Sequence, residues 1–145
     1  MRGWRMTQQN FQLVMLPDLF AICRLDSDAP APAWATSRAF ISMTRTADEL
    51  SIVCPQGQVP DGVQCVRDWR CLRIADKLDL SMIGVLASLV TPLAEAGISI
   101  FSVSTFDTDY LLVRDSDLEK ALAALRAEER GGQITLQKPR AVPPS

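Results

Sequence analysis

The stretch Gly97 to Val113 constrains this chain more than any other segment. It reads Gly-Ile-Ser-Ile-Phe-Ser-Val-Ser-Thr-Phe-Asp-Thr-Asp-Tyr-Leu-Leu-Val. A β-branched, serine-rich run meets a short acidic turn at Asp107-Thr108-Asp109, and a second apolar run follows. That alternation predicts a β-hairpin with hydroxyls and carboxylates at its tip. Before it, Met82, Val85, Leu86, Leu89, Val90 and Leu93 recur at helical spacing, which predicts a helix from about Ser81 to Ala96. Pro92 should kink its last turn, and Gly97 should stop it. After the hairpin, Ser116 with Glu119 three residues on predicts a capped second helix.

Strand, helix, two strands, helix and strand is the order of a ferredoxin-like unit. The expected class is therefore α+β, with antiparallel sheets and helices on one face. The first half of the chain repeats part of this pattern. At an offset of sixty positions, Phe40 to Thr44 lies over Ile100 to Ser104, and Glu49 to Val53 lies over Asp109 to Val113. Both copies give strand, acidic turn, strand. Two tandem units follow as the expected organisation: an N-terminal half over 10–62 with a short helix, and a C-terminal unit over 63–137. Residues 1–9 and 138–145 are expected to be flexible ends, the second carrying Pro139, Pro143 and Pro144.

Within the first half, strands are expected at Phe11–Leu16, Leu19–Leu25, Phe40–Thr46 and Glu49–Cys54. One or two helical turns are expected at Ala33–Arg38, and a loop at Pro55–Gly62. A long, bent strand is expected over Val63–Ala75.

Several function classes conflict with the composition. The chain has no histidine, so Ser-His and Cys-His nucleophile pairs cannot form within it. Its four cysteines, Cys23, Cys54, Cys65 and Cys71, include no C-x-x-C pair, so no zinc site is expected. The scattered glycines form no phosphate loop or dinucleotide fingerprint, so no cofactor is expected either. The cysteines read as small buried hydrophobes in a reducing compartment. A net charge of −2 argues against nucleic acid as the main partner. The basic and aromatic cluster of Arg67, Arg70, Arg73 and Trp69 reads as an exposed strand face. No apolar run reaches the roughly 20 residues that span a bilayer, so no membrane is expected as a partner. Arg2 and Arg5 precede no apolar core, which is not a signal peptide, so a cytoplasmic location is expected.

Two places could hold a ligand. Gly84 sits near the expected helix start, where free amide N–H groups attract a carboxylate. A glycine there is also simply tolerated at a cap. At the hairpin, Asp107 or Asp109 could meet an ammonium group, although Asp-Thr-Asp commonly just makes a turn. Opposed charges at fixed spacing would select an α-amino acid.

The hairpin sequence, together with Ile83-Gly84-Val85-Leu86 and Leu93-Ala94-Glu95-Ala96-Gly97, closely resembles the second half of small tandem ACT-domain proteins. Phe40 to Val53, with Thr44-Arg45-Thr46 and Asp48-Glu49-Leu50-Ser51, fits the first half, and the resemblance runs from about Phe11 to Ala127. In domain type it extends to the CASTOR group of arginine sensors and to aspartate kinase regulatory domains. The resemblance implies a non-catalytic regulatory module that binds a small ligand, an amino acid, at an interface between ACT units. It also implies a homodimer. By position, the ligand shell would include Ile83, Gly84 and Val85 at the helix start and Thr105, Phe106, Asp107, Thr108 and Asp109 at the hairpin. Ser42 and Thr44 would come from the partner unit. A sensor also implies a regulated protein that reads its state. The competing expectation is a ligand-free structural or dimerisation module of the same fold.

Overall fold

The protein is described here by a computed structural model over residues 11–75, 84–127 and 134–137. Among these residues, eight strands and two helices follow one another in an α+β, ferredoxin-like arrangement. The strands are β1 (Phe11–Met15), β2 (Phe20–Leu25), β3 (Ser42–Arg45), β4 (Leu50–Pro55), β5 (Cys65–Ile74), β6 (Ile100–Ser104), β7 (Asp109–Arg114) and β8 (Ile134–Gln137). The helices are α1 (Val85–Glu95) and α2 (Leu118–Ala127).

All eight strands belong to one sheet, and β5 is its axis. Along one side of β5, its first half pairs antiparallel with β2 and its end pairs antiparallel with β1. Along the other side, Trp69 to Arg73 pair antiparallel with β7, and β7 pairs with β6. The first half of the chain therefore gives the order β3-β4-β2-β5, and the second gives β6-β7-β5 followed by β1 and β8. The inserted strand is β1, which lies between β5 and the parallel β8.

A β-bulge marks the point where β5 passes from one half to the other. Phe20 pairs with Trp69 and Ile22 with Val66, so Arg67 and Asp68 together oppose Ala21. Asp68 carries the positive φ of 68° that the bulge requires. Gln56 clamps it: the Asp68 N–H donates to Gln56 Oε1, and Gln56 Nε2 donates to Asp68 Oδ1 at 3.0 Å.

Period-2 patterning then sorts the strands into three buried clusters. Leu13, Leu72, Ile74, Leu111 and Val113 pack under α1 and α2, against Val85, Leu89, Leu93, Ala121 and Leu125. On the first-half sheet, Ala21, Cys23, Leu50, Ile52 and Cys54 face Ala35 and Val59 from the covering loops. The opposite faces of the two halves meet in a third cluster, where Phe20, Phe40 and Val53 pack with Trp69, Cys71 and Leu112. Phe40 contacts Phe20 edge-on at 5.9 Å between centroids and Tyr110 at 4.4 Å.

The expected strands all form, with shifts of one or two residues at their ends. Three local expectations need correction. Trp69 is not part of an exposed face, because period-2 alternation turns it inward onto Phe20 and Val53. Ala33–Arg38 is not helical: it makes a turn at 33–34 and a bend at 38–39. Pro30 and Pro32 keep the entry extended, and the Ser37 hydroxyl accepts the N–H groups of Ala39 and Phe40 at 3.1 and 3.3 Å. Ser116 does not cap α2. It lies inside a 3-10 turn, Asp115–Asp117, that runs directly into the helix, while Arg70 draws the Asp115 carboxylate sideways at 2.8 Å.

Helix α1 keeps Pro92 in its last turn and ends as expected at Gly97. Gly97 adopts φ +76°, its N–H reaches Ala94, and the Ile98 N–H reaches back to Leu93 at 3.0 Å. That is a Schellman closure, sealed by Ile98 in the helical core. The start of the helix expected over 81–83 and both chain ends lie outside the described residues.

Candidate functional site

The hairpin tip is closed on itself. The Thr105 N–H and hydroxyl both donate to the Thr108 carbonyl, at 2.8 and 2.9 Å. The Thr105 hydroxyl accepts the Thr108 N–H at 3.3 Å. The Thr108 hydroxyl, only 8% exposed with its residue, donates to the Ile74 carbonyl at 2.9 Å. Both hydroxyls are thus engaged, Thr105 within the exposed turn and Thr108 inside the fold. Phe106 projects at the tip, 77% exposed, and Asp107 is exposed beside it. Asp109 is half-buried and pairs across the hairpin with Ser104.

At the head of α1, Gly84 takes the cap position at φ +81°, a conformation that favours glycine, and no side chain caps it. Its carbonyl accepts the Ser88 N–H at 3.0 Å. Val85 is buried in the helical core with Ile74 and Leu111. Ile83 lies outside the described residues.

Ser42 and Thr44 stand elsewhere, in a groove between the two halves of the sheet. The groove follows from strand alternation. On β2 and β4, Cys23 and its in-register partner Ile52 turn to the first-half core. The intervening residues, Arg24, Ser51 and Thr44, form one cross-strand row on the other face, because Arg24 pairs with Ser51 and Ser51 with Thr44. Glu49 and Thr46 continue that face two residues along. Phe101 of β6 closes the groove from the second half, and Gln64, Cys65 and Val66 close its end. The hollow is about 600 Å³. A smaller adjoining hollow of about 250 Å³ runs between β3 and β6, where Ser42 and Thr44 face Ser102 and Ser104.

One cation and one anion line the larger hollow. Arg24 donates from Nη2 to the Asp48 carbonyl at 2.9 Å. Glu49 is half-buried on the same face, and the two side chains form no ion pair with each other. The remaining polar lining is neutral, and Ile22, Val66 and Phe101 supply an apolar wall.

The thiols fit structural roles. Cys23 and Cys65 sit directly opposite each other on β2 and β5. Burial pushes the Cys23 and Cys71 thiols up to about 12 and raises Cys54 as well. Such thiols remain protonated and make poor nucleophiles. Among the described residues, no group of three or more His, Cys, Asp or Glu could hold a metal ion. No helix among them is long and apolar enough to cross a membrane.

The structure thus divides the expected ligand shell. Thr105 to Asp109 sit at the hairpin tip and Gly84 and Val85 at the head of α1, whereas Ser42 and Thr44 line the inter-half groove. Sequence reading passed over Arg24, Glu49, Ser51, Gln64 and Phe101. The available signal was the polar period-2 row Ser42-x-Thr44-x-Thr46 facing Glu49-x-Ser51 across an acidic turn.

Two family models match the chain. One, described as the ACT domain, matches residues 64–127. The other, described as an N-terminal domain, matches residues 18–62. The crystal structure of a protein from Agrobacterium tumefaciens is similar at 38% identity over 91% of this chain and 97% of that one, with a TM-score of 0.81. The aspartate kinase of Clostridium acetobutylicum is similar at 13% identity over 88% of this chain and 37% of that one, with a TM-score of 0.64. The regulatory subunit of aspartate kinase from Thermus thermophilus is similar at 15% identity over 76% of this chain and 92% of that one, with a TM-score of 0.53. The two kinase likenesses are likenesses of fold.

Proposed function

This chain belongs to the ACT-domain family, and from that premise we propose that it is a non-catalytic regulatory module that binds a small ligand, an amino acid, between two ACT-type units. The first unit, over 10–62, carries its sheet into the start of β5. The second, over 63–137, uses the rest of β5 with β6, β7, β8 and both helices, and borrows β1 from the first. In this reading one long strand serves both units.

The observation that carries the proposal is the groove, in which Arg24 and Glu49 of one half face Phe101 of the other. A mixed apolar and charged hollow of this size suits a small polar molecule. The absence of histidine throughout the chain and the raised thiols fit a binding role better than a catalytic one. The name of the Thermus thermophilus neighbour, a regulatory subunit, agrees with a regulatory role. We further propose a cytoplasmic homodimer that signals to a separate regulated protein. The edges of β3 and β6 each lack a second strand neighbour among the described residues and are natural joints.

A thermal-shift panel of the twenty amino acids tests the reading. A ligand at about 100 times its Kd adds about 2.7 kcal/mol, which raises Tm by roughly 5–10 °C in a chain of this size. A selective rise supports a sensor. An unchanged Tm across the panel, with a stable dimer, leaves the ligand-free structural module.

A further inference from the structure

We infer that the groove takes an α-amino acid with an uncharged, apolar side chain, its carboxylate held by Arg24 and its ammonium group by Glu49. The inference rests on the function proposed above and names the site and the ligand class within it.

Three observations carry it. The first is spacing. Arg24 pairs with Ser51, and Glu49 lies two residues along the same face, so the two charges occupy a cross-strand diagonal. Such diagonals span about 7–8 Å, enough to admit the adjacent carboxylate and ammonium of one amino acid between long side chains. Arg24 engages a carbonyl with one nitrogen and keeps further donors, since a guanidinium carries five N–H groups. The second is charge count. The lining holds one cation and one anion, so a zwitterion is neutralised and a third charge on the ligand is not. The third is the wall. Val66 is 49% exposed although it lines the hollow, and Ile22 and Phe101 stand with it. An apolar side chain laid against Val66 and Phe101 covers surface that the free protein leaves wet. Because Phe101 belongs to β6 and Arg24 to β2, such a ligand touches both halves of the sheet.

The test is calorimetric titration of the full chain with L-leucine, L-phenylalanine and L-methionine, and with L-lysine and L-glutamate. Isocaproate and isopentylamine serve as leucine analogues lacking the ammonium or the carboxylate. Apolar amino acids should bind, the charged ones and both analogues more weakly. Arg24→Gln and Glu49→Gln should each weaken binding on the order of tenfold to a hundredfold, as expected for losing one charged hydrogen-bonding partner. Arg24 is exposed and Glu49 half-buried, and an unchanged Tm of the free variants shows that they fold. If an apolar amino acid binds both variants as tightly as it binds the parent chain, the groove assignment is wrong while the proposed function stands. Binding of charged amino acids alone overturns the ligand class. If none of the five binds, this inference fails; if the thermal-shift panel of all twenty is flat as well, the proposed function fails with it.

Discussion

The hydroxyl of Thr108 donates to the main-chain carbonyl of Ile74 at 2.9 Å, and the bond is buried. It fastens the tip of the β6–β7 hairpin to the end of β5, a sequence separation of 34 residues. The Thr108 main chain meanwhile closes the turn with Thr105. One residue therefore serves the local turn with its backbone and the long-range fold with its side chain.

Thr108→Val keeps the shape and removes only the buried donor. An unpaired buried carbonyl costs about 1–3 kcal/mol. Urea unfolding should show a loss in that range, with m unchanged. Thr105→Val acts on an exposed turn and should cost less than about 1 kcal/mol. Equal losses for the two variants would contradict the different weights given to these bonds.

Asp68 holds the β5 bulge at φ +68°, with Gln56 bonded to both its backbone and its carboxylate. Asp68→Gly relieves the backbone and loses one exposed side-chain bond, so its effect on stability should lie within about 0.5 kcal/mol. Asp68→Val adds a β-branched side chain in the left-handed region and should cost roughly 1–2 kcal/mol or more. Guanidinium unfolding of both variants checks the ordering, and a Val variant as stable as the Gly variant would remove the bulge from the account.

Gly97 and Gly57 offer a paired comparison, because a Cβ at either meets no atom within 4 Å. Only Gly97 has a positive φ, +76°. Gly97→Ala should therefore cost about 1 kcal/mol through backbone strain alone. Gly57→Ala should be neutral or stabilising by up to about 1 kcal/mol through the unfolded chain. Thermal melts of the two variants should move in different directions or differ clearly in size.

Cys71 is fully buried, and burial pushes its thiol up to about 12. The unfolded thiol ionises near pH 8.5. Between those values the unfolded chain has released a proton that the folded chain keeps. The folded pKa is the higher one, so the stabilisation is complete below about pH 8.5 and is lost as pH rises toward 12. The slope from this thiol approaches about 1.4 kcal/mol per pH unit. Urea unfolding at pH 8, 9.5 and 10.5 should show stability falling, and Cys71→Ala should make the fall shallower, the buried Cys23 and Cys54 keeping part of it, while lowering stability at pH 8. A fall of equal slope in the variant would place its origin in other groups.

Much of the fold was legible because the strands announce themselves locally. Ile52 and Cys54 against Ser51 and Val53, or Leu111 and Val113 against Leu112, alternate as a two-sided strand must. The hairpin turn and the Gly97 stop were equally local. Two features were not. The place of β1 between β5 and β8 depends on a parallel pairing of Leu13 with Leu136, far apart in sequence, which no short-range pattern encodes. Ala33–Arg38 has helix-compatible composition, but Ser37 spends its hydroxyl on the turn that replaces the helix. Resemblance named Ser42 and Thr44 as candidates from a partner unit, and they lie along the groove. Arg24 and Glu49 were not legible, because a charged residue at every second strand position normally means a solvated face. Here that face looks toward Phe101, and only the way the two halves meet reveals it.

The most direct measurement is an amide NMR titration of the uniformly labelled chain with each of the twenty amino acids. The account predicts that an apolar amino acid shifts the amides of Arg24, Thr44 and Ser51 together with that of Phe101, on opposite halves of the sheet, while Thr105 to Thr108 stay in place. A response confined to Gly84, Val85 and residues 105–109, or no response to any of the twenty, would contradict it.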